Sequence, residues 1–238
     1  MGIPVNKEGM APLLEQIEAW VTHRDAARIV LSANAAKVYA ARTDVELRTG
    51  LLAADWVLPD GMGVVWASAG VLSERLAGCD VAEALLARCA ERGWRPYLLG
   101  GRPEVIAQAV TVLAARHPHL RLAGHHHGYL TQEMEMGVAE SIGKSAPDIL
   151  LIGMGSPRQE RFLDRWAQTM GAPCNVAVGG TFDVLAGRVK RAPVAVQKHG
   201  LEWLWRSLLQ PQRVLSKRSL HTLLFAVMSV IDRLKNSS

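Results

Sequence analysis

The 238-residue chain has room for one large domain or two small ones, and its apolar fraction of 49% with 21% charged residues excludes a disordered protein. No stretch reaches the roughly 18 apolar residues of a membrane-spanning helix, and the acidic residues within positions 1–28 argue against a signal peptide. Three cysteines, unpaired by number and spacing, favour a reducing cytoplasm over disulfides or a zinc site.

The charge is concentrated at the C-terminal end. Residues 187–238 carry 10 Lys and Arg against 2 acids, a net of +8, whereas residues 1–186 carry 17 basic and 20 acidic residues, a net of −3. We therefore expect a near-neutral body, residues 1–190, followed by a basic segment, residues 191–238, that faces a negatively charged partner.

Helical and strand-like patterns alternate along the body. The predicted helices cover residues 9–23, 47–52, 63–68, 81–92 and 103–117, and another begins at about residue 158. The predicted strands cover residues 29–31, 56–58, 94–99, 120–123, 149–152 and 176–178. This alternation predicts a three-layer, Rossmann-like α/β fold with a mostly parallel sheet.

Two of the predicted strands run into glycine-rich loops. Gly153 and Gly155 follow the strand at 149–152, and Gly179 and Gly180 follow the strand at 176–178. Ligands of open α/β sheets bind outside the carboxyl ends of the strands, where backbone N–H groups at a helix start can hold phosphate. A nucleotide site and ordinary strand-to-helix turns are both compatible with these loops.

Asp60 lies in a Pro-Asp-Gly turn directly after a predicted strand. Catalytic groups are often mounted at such a position, although the residue type alone is more typical of a turn or helix-capping aspartate. The consecutive histidines 125–127 invite a metal interpretation, but adjacent side chains point in different directions and no cysteine or carboxylate has matching spacing. We expect a loop near the ligand or a surface turn there, and no metal.

The basic segment ends in an apolar run, residues 223–231, flanked by Lys217, Arg218, Arg233 and Lys235. The run is too short to cross a bilayer. As an amphipathic helix with a basic edge it could lie on an anionic membrane. Packing on the protein's own core or on a second subunit fits the sequence equally well, so a homo-oligomer stays open.

Seven motifs in order connect the chain to a known family. From about Ile29 to Arg218 they read SANAAKVYAA, LPDGMGVVWAS, ERLAGCD, YLLGG, PDILLIGMGSPRQE, VAVGGTFDVLAGRVKRAP and GLEWLWRSLLQPQR. Together they resemble the WecG/TagA/CpsF glycosyltransferases. The resemblance implies a bacterial inverting hexosyltransferase that moves a sugar from a UDP-sugar to a polyprenyl-diphosphate-linked saccharide in surface polysaccharide synthesis. It implies a peripheral protein at the inner face of the cytoplasmic membrane, with no cofactor and no metal; the chain has no Asp-x-Asp motif.

The resemblance also assigns roles to residues. Asp60 matches the proposed catalytic base, and Arg206 and Arg213 match cations that stabilise the leaving UDP. Gln159 matches a residue near the donor sugar, while Ser32 and Asn34 are candidates for binding the sugar or the acceptor. Candidates for the UDP pocket are Gly100, Gly101, Gly153, Gly155, Gly179, Gly180 and Asp183. Arg191 is either a further phosphate ligand or a surface charge.

Two departures from the family pattern concern the substrates. Ser216 stands where relatives tend to carry a basic residue, so Lys217 or Arg218 is a candidate replacement. Ala36 stands where relatives often carry an acid, which leaves the donor open between UDP-N-acetylmannosamine or its uronate and UDP-glucose or UDP-glucuronate. A non-catalytic nucleotide-binding module would explain the glycine loops but not Asp60. Nucleic-acid binding through the basic segment is disfavoured by the apolar run at 223–231.

Overall fold

The structure is a computed structural model, and it describes residues 2–193, 196, 205 and 217–236. The strands are β1 Arg28–Ala33, β2 Trp56–Pro59, β3 Pro96–Gly100, β4 Gly124–His126, β5 Ile149–Gly153 and β6 Cys174–Ala177. The helices are α1 Met10–His23, α2 Ala35–Ala40, α3 Val45–Ala53, α4 Met62–Ala67, α5 Gly78–Arg92, α6 Pro103–Arg116, α7 Gln132–Lys144, α8 Arg158–Met170, α9 Thr181–Leu185 and α10 Lys217–Asn236.

The six strands form one sheet in the order β2-β1-β6-β5-β3-β4, and every neighbouring pair is parallel. The sheet is therefore wholly parallel rather than mostly parallel. Because all strands run in one direction, their carboxyl ends lie along the same edge. Loops that follow β1, β2, β3, β5 and β6 are brought together there.

Two hydrophobic cores cover the two faces of the sheet. Successive strand residues alternate between them: Val30 and Leu151 pack with α1, α5 and α6, whereas Leu31 and Ile152 pack with α2, α3, α7 and α8. Burial on both faces explains why the strands are continuous apolar runs rather than alternating ones. The predicted three-layer α/β architecture is confirmed.

The strand expected at residues 120–123 was wrong. Pairing with β3 starts only where Ala123 donates its N–H to the carbonyl of Pro96, and the ladder then joins Tyr97 to Gly124. Leu120 and Leu122 instead pack against the first core without joining a strand. Apolar side chains here therefore indicate burial and not strand pairing. The helices α2, α7 and α9 were not predicted from the sequence.

Helix α10 packs against α2. Phe225 is 3% exposed and belongs to the second core, the His221 ring lies 5.1 Å from the Tyr39 ring, and Arg42 donates to the sulfur of Met228. On the outer side a row of apolar residues is 44–62% exposed; we refer to these as the α10 stripe: Leu220, Leu223, Val227, Val230 and Ile231. The helix is therefore anchored to the body while an apolar surface stays in solvent.

Replacing Gly153 with alanine should destabilise the fold. A Cβ there would lie 2.6 Å from the carbonyl oxygen of Gly179 and 2.7 Å from the Phe182 ring, and neither backbone nor a buried ring can move aside freely. We expect a loss of about 1–3 kcal/mol in the free energy of unfolding, measured by urea denaturation.

Gly137→Ala in α7 is the matched control, since a Cβ there meets nothing within 4 Å. Alanine in a helix interior should raise the stability by roughly 0.5–1 kcal/mol. Equal effects of the two substitutions would contradict the close packing described for the carboxyl edge.

Candidate active site

The residues singled out from the sequence form a row along the carboxyl edge of the sheet. Asp60 follows β2, Ser32 lies in β1, Gly179 follows β6, Gly153 ends β5 and Gly100 ends β3. With neighbouring strands roughly 4.8 Å apart, four spacings make this row about 19 Å long. The fold therefore brings together residues that are widely separated in the chain.

Three of the predicted pocket glycines are explained by packing between loops. A Cβ on Gly100 would lie 2.4 Å from the carbonyl oxygen of Gly153, and one on Gly101 would lie 3.1 Å from Val105. Gly101 donates its N–H to Gly153 at 3.2 Å and accepts from Gly128 at 2.9 Å. The loops after β3 and β5 thus touch backbone to backbone, which requires glycine whether or not a ligand binds.

The remaining glycines have another environment. Gly155 and Gly179 have φ angles of +80° and +57°, and a Cβ on either would meet nothing within 4 Å. Gly180 precedes α9 and is exposed, with the Asp183 carboxylate 4.0 Å from its Cβ position. A side chain at either position would point into open space, so a ligand can approach these two glycines closely. Among the described residues no hydrogen bond or ion pair engages the Asp183 carboxylate.

Asp60 is held by its backbone, while its side chain is not engaged. Its N–H donates to the carbonyl of Ala33 at 2.9 Å, which fixes the turn against the end of β1. The carboxylate is partly exposed, and no described residue donates a hydrogen bond to it. A carboxylate in this state can accept a proton from a substrate hydroxyl.

The Asn34 side chain stabilises the start of a helix. Its side-chain oxygen accepts from the N–H of Lys37 at 3.1 Å and caps α2. The cap accounts for the residue type without a ligand, so its predicted binding role remains a proposal.

A buried ion pair lies beside these residues, and sequence reasoning missed it. The ammonium of Lys37 is 2.7 Å from Oε1 of Glu160, with the two side chains 5% and 1% exposed. Lys37 also donates to the carbonyl oxygen and to Oγ of Ser32, both at 3.0 Å. Glu160 in turn accepts from Nε2 of Gln159 at 3.1 Å. We call Ser32, Lys37, Gln159 and Glu160 the Lys37 cluster.

The ion pair keeps Glu160 ionised. Burial would raise the pKa of this carboxyl, but the adjacent Lys37 ammonium, together with hydrogen bonds from Lys37, the backbone and Gln159, holds the pKa below its usual value of 4.5. No separate sequence signal could have revealed the pair, because charged residues on helices are normally solvated.

Arg191 lies against the start of α5. Its guanidinium is 2.7 Å from Oδ1 of Asp80, and the neighbouring Cys79 sulfur is 3.3 Å from Oγ1 of Thr181 at the first residue of α9. Arg191 is therefore held near the starts of two helices that flank the loop after β6. Arg206, Arg213 and Ser216 lie outside the described residues.

The loop after β4 contributes an aromatic side chain that the sequence reasoning passed over. Tyr129 is 59% exposed, and the guanidinium of Arg102 lies 5.7 Å from its ring centroid. Tyr129 follows Gly128, which contacts Gly100, so the ring belongs to the same edge. The signal available in the sequence was an aromatic residue directly after a glycine, and the structure places it three residues beyond the end of β4.

The histidines give no support to a metal site. His126 and His127 contact each other with ring centroids 4.3 Å apart, and Nδ1 of His126 lies 2.8 Å from the carbonyl oxygen of His127. Within the described part of the chain, no group of three or more His, Cys, Asp or Glu side chains could hold a metal ion.

The family model for the Glycosyl transferase WecG/TagA/CpsF family matches residues 1–238, which is the whole chain. The chain belongs to this family. It is accordingly a glycosyltransferase of cell-surface polysaccharide synthesis, which implies a sugar-nucleotide donor and a glycan acceptor. None of the described helices is both long enough and apolar enough to cross a membrane.

Replacing Lys37 with methionine should strongly destabilise this glycosyltransferase, because it leaves the Glu160 carboxylate buried and unpaired. We expect a loss of about 3–5 kcal/mol in the free energy of unfolding at neutral pH, and a smaller loss for Lys37→Met/Glu160→Leu, in which both charges are gone. Arg161→Gln is the control, since Arg161 pairs with Asp44 while 45% exposed and should cost at most about 1 kcal/mol.

The Lys37→Met variant should also recover stability relative to wild type as the pH falls. Without the ammonium, burial raises the folded-state pKa of Glu160 above its unfolded value, so proton uptake below that raised pKa relieves the buried charge. In wild type the folded-state pKa of Glu160 is lowered, so the contribution of the ion pair to the free energy of unfolding is lost only as the pH falls below about 4.5. Urea denaturation of wild type and Lys37→Met at pH 7 and pH 5 tests this. If the difference between their free energies of unfolding does not change with pH, Glu160 is not a buried, charged group in the variant.

Proposed function

We propose that the protein is an inverting, metal-independent hexosyltransferase that uses a UDP-sugar donor and a polyprenyl-diphosphate-linked saccharide acceptor. The observation that carries the proposal is the layout of the carboxyl edge in a chain of this family. A carboxylate without a described partner stands after β2, and open glycine loops follow β5 and β6. A single displacement at an anomeric carbon needs a base on one side and a site for the leaving group on the other.

Asp60 is the base in this mechanism. As the acceptor hydroxyl attacks the anomeric carbon, a new C–O bond forms and the bond from that carbon to the diphosphate oxygen breaks. The hydroxyl proton passes to the Asp60 carboxylate, and the electron pair of the broken bond leaves with UDP. Support comes from the turn that fixes the Asp60 backbone to β1 while leaving the carboxylate accessible.

The leaving UDP gains negative charge that must be stabilised without a metal. Arg206 and Arg213 take this role, and Lys217 or Arg218 replaces the basic residue that relatives tend to carry at the position of Ser216. The open backbone at Gly155 and Gly179 and the starts of α8 and α9 supply N–H donors. Arg191, already near the start of α9, is a further phosphate ligand. Asp183 belongs to the same pocket.

The membrane surface is the proposed location, on the cytoplasmic side where a lipid-linked acceptor meets a water-soluble donor. The α10 stripe offers apolar side chains in solvent, and residues 187–238 carry a net charge of +8. Apolar burial and attraction to anionic lipid add together in such a helix. The transferred sugar is N-acetylmannosamine, glucose or the uronate of either.

Asp60→Asn should abolish transfer and leave UDP binding largely intact. The amide cannot take the proton, so kcat should fall by roughly 10²–10⁴-fold. Turnover is measured as UDP release, and UDP affinity by calorimetry. Asp164→Asn, an exposed carboxylate on α8, is the control and should match wild type. Full turnover by the Asp60 variant would remove the base assignment.

Leu223→Ser/Val227→Ser should weaken membrane binding. These side chains are 62% and 50% exposed, so burying the exposed part of each in lipid would contribute roughly 1 kcal/mol. The partition coefficient onto anionic vesicles, measured by flotation, should therefore fall on the order of tenfold. The control Val45→Ser/Val71→Ser changes two apolar residues elsewhere that are 73% and 69% exposed, and it should float like wild type. Unchanged flotation of the first variant would assign the stripe to another partner.

A further inference from the structure

We infer that Lys37 is a positioning residue for sugar transfer: through Glu160 and Ser32 it sets the hydrogen-bonding direction of Gln159 and Ser32 toward the transferred sugar. The inference rests on the proposed function and extends it to a residue that does not touch the reacting atoms. It starts from the Lys37 cluster, which joins the carboxyl end of β1 to the first turn of α8.

The hydrogen-bonding capacity of Lys37 is fully used. An ammonium has three N–H groups, and the three acceptors are Oε1 of Glu160 at 2.7 Å and the carbonyl oxygen and Oγ of Ser32 at 3.0 Å. Lys37 therefore has no donor left for a substrate. Its side chain is 5% exposed, so its influence on a ligand must pass through Ser32 and Glu160.

The contact with Lys37 sets the role of the Ser32 hydroxyl. An ammonium can only donate, so Oγ of Ser32 accepts from Lys37 and its own hydrogen remains available. No described residue accepts that hydrogen. Ser32 is therefore a hydrogen-bond donor near the end of β1, next to the strand β2 that Asp60 follows.

Glu160 sets the orientation of the Gln159 amide. An ionised carboxylate only accepts, so the NH₂ group of Gln159 must face Oε1 of Glu160, as observed at 3.1 Å. The amide oxygen then points the other way. It is buried, in a side chain only 1% exposed, and no described residue donates to it. A buried acceptor without a donor is unfavourable, and a sugar hydroxyl or acetamido N–H would satisfy it.

The Lys37 cluster lies where the proposed mechanism places the transferred sugar. Ser32 in β1 and Gln159 beyond β5 lie on either side of β6, between Asp60 after β2 and the backbone of the β3 end. A sugar held between the base and the diphosphate loops would meet both residues. Ser32 would donate to it and Gln159 would accept from it.

The test uses Lys37→Met/Glu160→Leu, which leaves no unpaired buried charge. We expect kcat/KM for transfer to fall about 10²-fold, the effect of a small misplacement of a reacting group. UDP affinity should stay at the wild-type value, since UDP lacks the transferred sugar. The control Arg161→Gln/Asp44→Asn removes a more exposed ion pair that joins α8 to the start of α3, and it should leave both values unchanged.

A triple variant that includes Gln159 distinguishes a positioning role of Lys37 from a general effect on stability. If Lys37 acts through the Gln159 amide, adding Gln159→Ala to the double variant should cost little beyond Gln159→Ala alone. Full additivity of the two losses, or wild-type kcat/KM in the double variant, would overturn the inference while leaving the proposed function in place. Absence of turnover by wild type with every UDP-sugar would overturn the proposed function and this inference with it.

A second double variant tests the inference if the first one folds poorly. Lys37→Gln/Glu160→Gln leaves no buried charge and fills nearly the same space, but the amide at residue 160 can donate as well as accept and so no longer fixes the orientation of the Gln159 amide. We expect a comparable loss in kcat/KM with unchanged UDP affinity, and wild-type kcat/KM would contradict the role given to Gln159.

Discussion

The buried ion pair between Lys37 and Glu160 is the constraint on which the rest of the site depends. Two charges with almost no exposure are tolerable only if each meets the other, and here Lys37 also donates two hydrogen bonds to Ser32, while Oε2 of Glu160 has no described partner. That requirement fixes α2 relative to α8 and thereby the ends of β1 and β5. Helix α2 also carries α10, so the same short helix links the carboxyl edge of the sheet to the α10 stripe.

The glycines of the site fall into two physical groups that one motif does not distinguish. Gly100 and Gly153 allow the loops after β3 and β5 to touch through their backbones, and any side chain would collide there. Gly155 and Gly179 instead have positive φ angles and open surroundings. The first group builds the edge, and the second leaves backbone groups accessible on it. A glycine-rich loop in such a transferase therefore combines close packing and open backbone in neighbouring positions.

Much of the fold was predictable because its signals are local: apolar runs, turn residues and helical spacing identified most strands and placed Asp60 directly after β2. The strand at 120–123 was wrong because burial of Leu120 and Leu122 does not depend on strand pairing. The roles of Asp60 and Gln159 came from family resemblance, not from pattern. Lys37 and Glu160 were invisible because their burial arises only when distant segments meet, and an isolated charged residue is usually solvated.

The most direct test of the account is UDP release by the full-length protein in the presence of EDTA. The assay combines a panel of UDP-sugars with a short-chain polyprenyl-diphosphate-linked sugar as acceptor. We expect release with one donor, dependent on the acceptor and insensitive to EDTA. If no UDP-sugar of the panel gives release although UDP binds measurably, the account is contradicted in favour of a non-catalytic nucleotide-binding module. Release that EDTA abolishes would contradict the metal-free mechanism, and with it the roles given to Arg206 and Arg213.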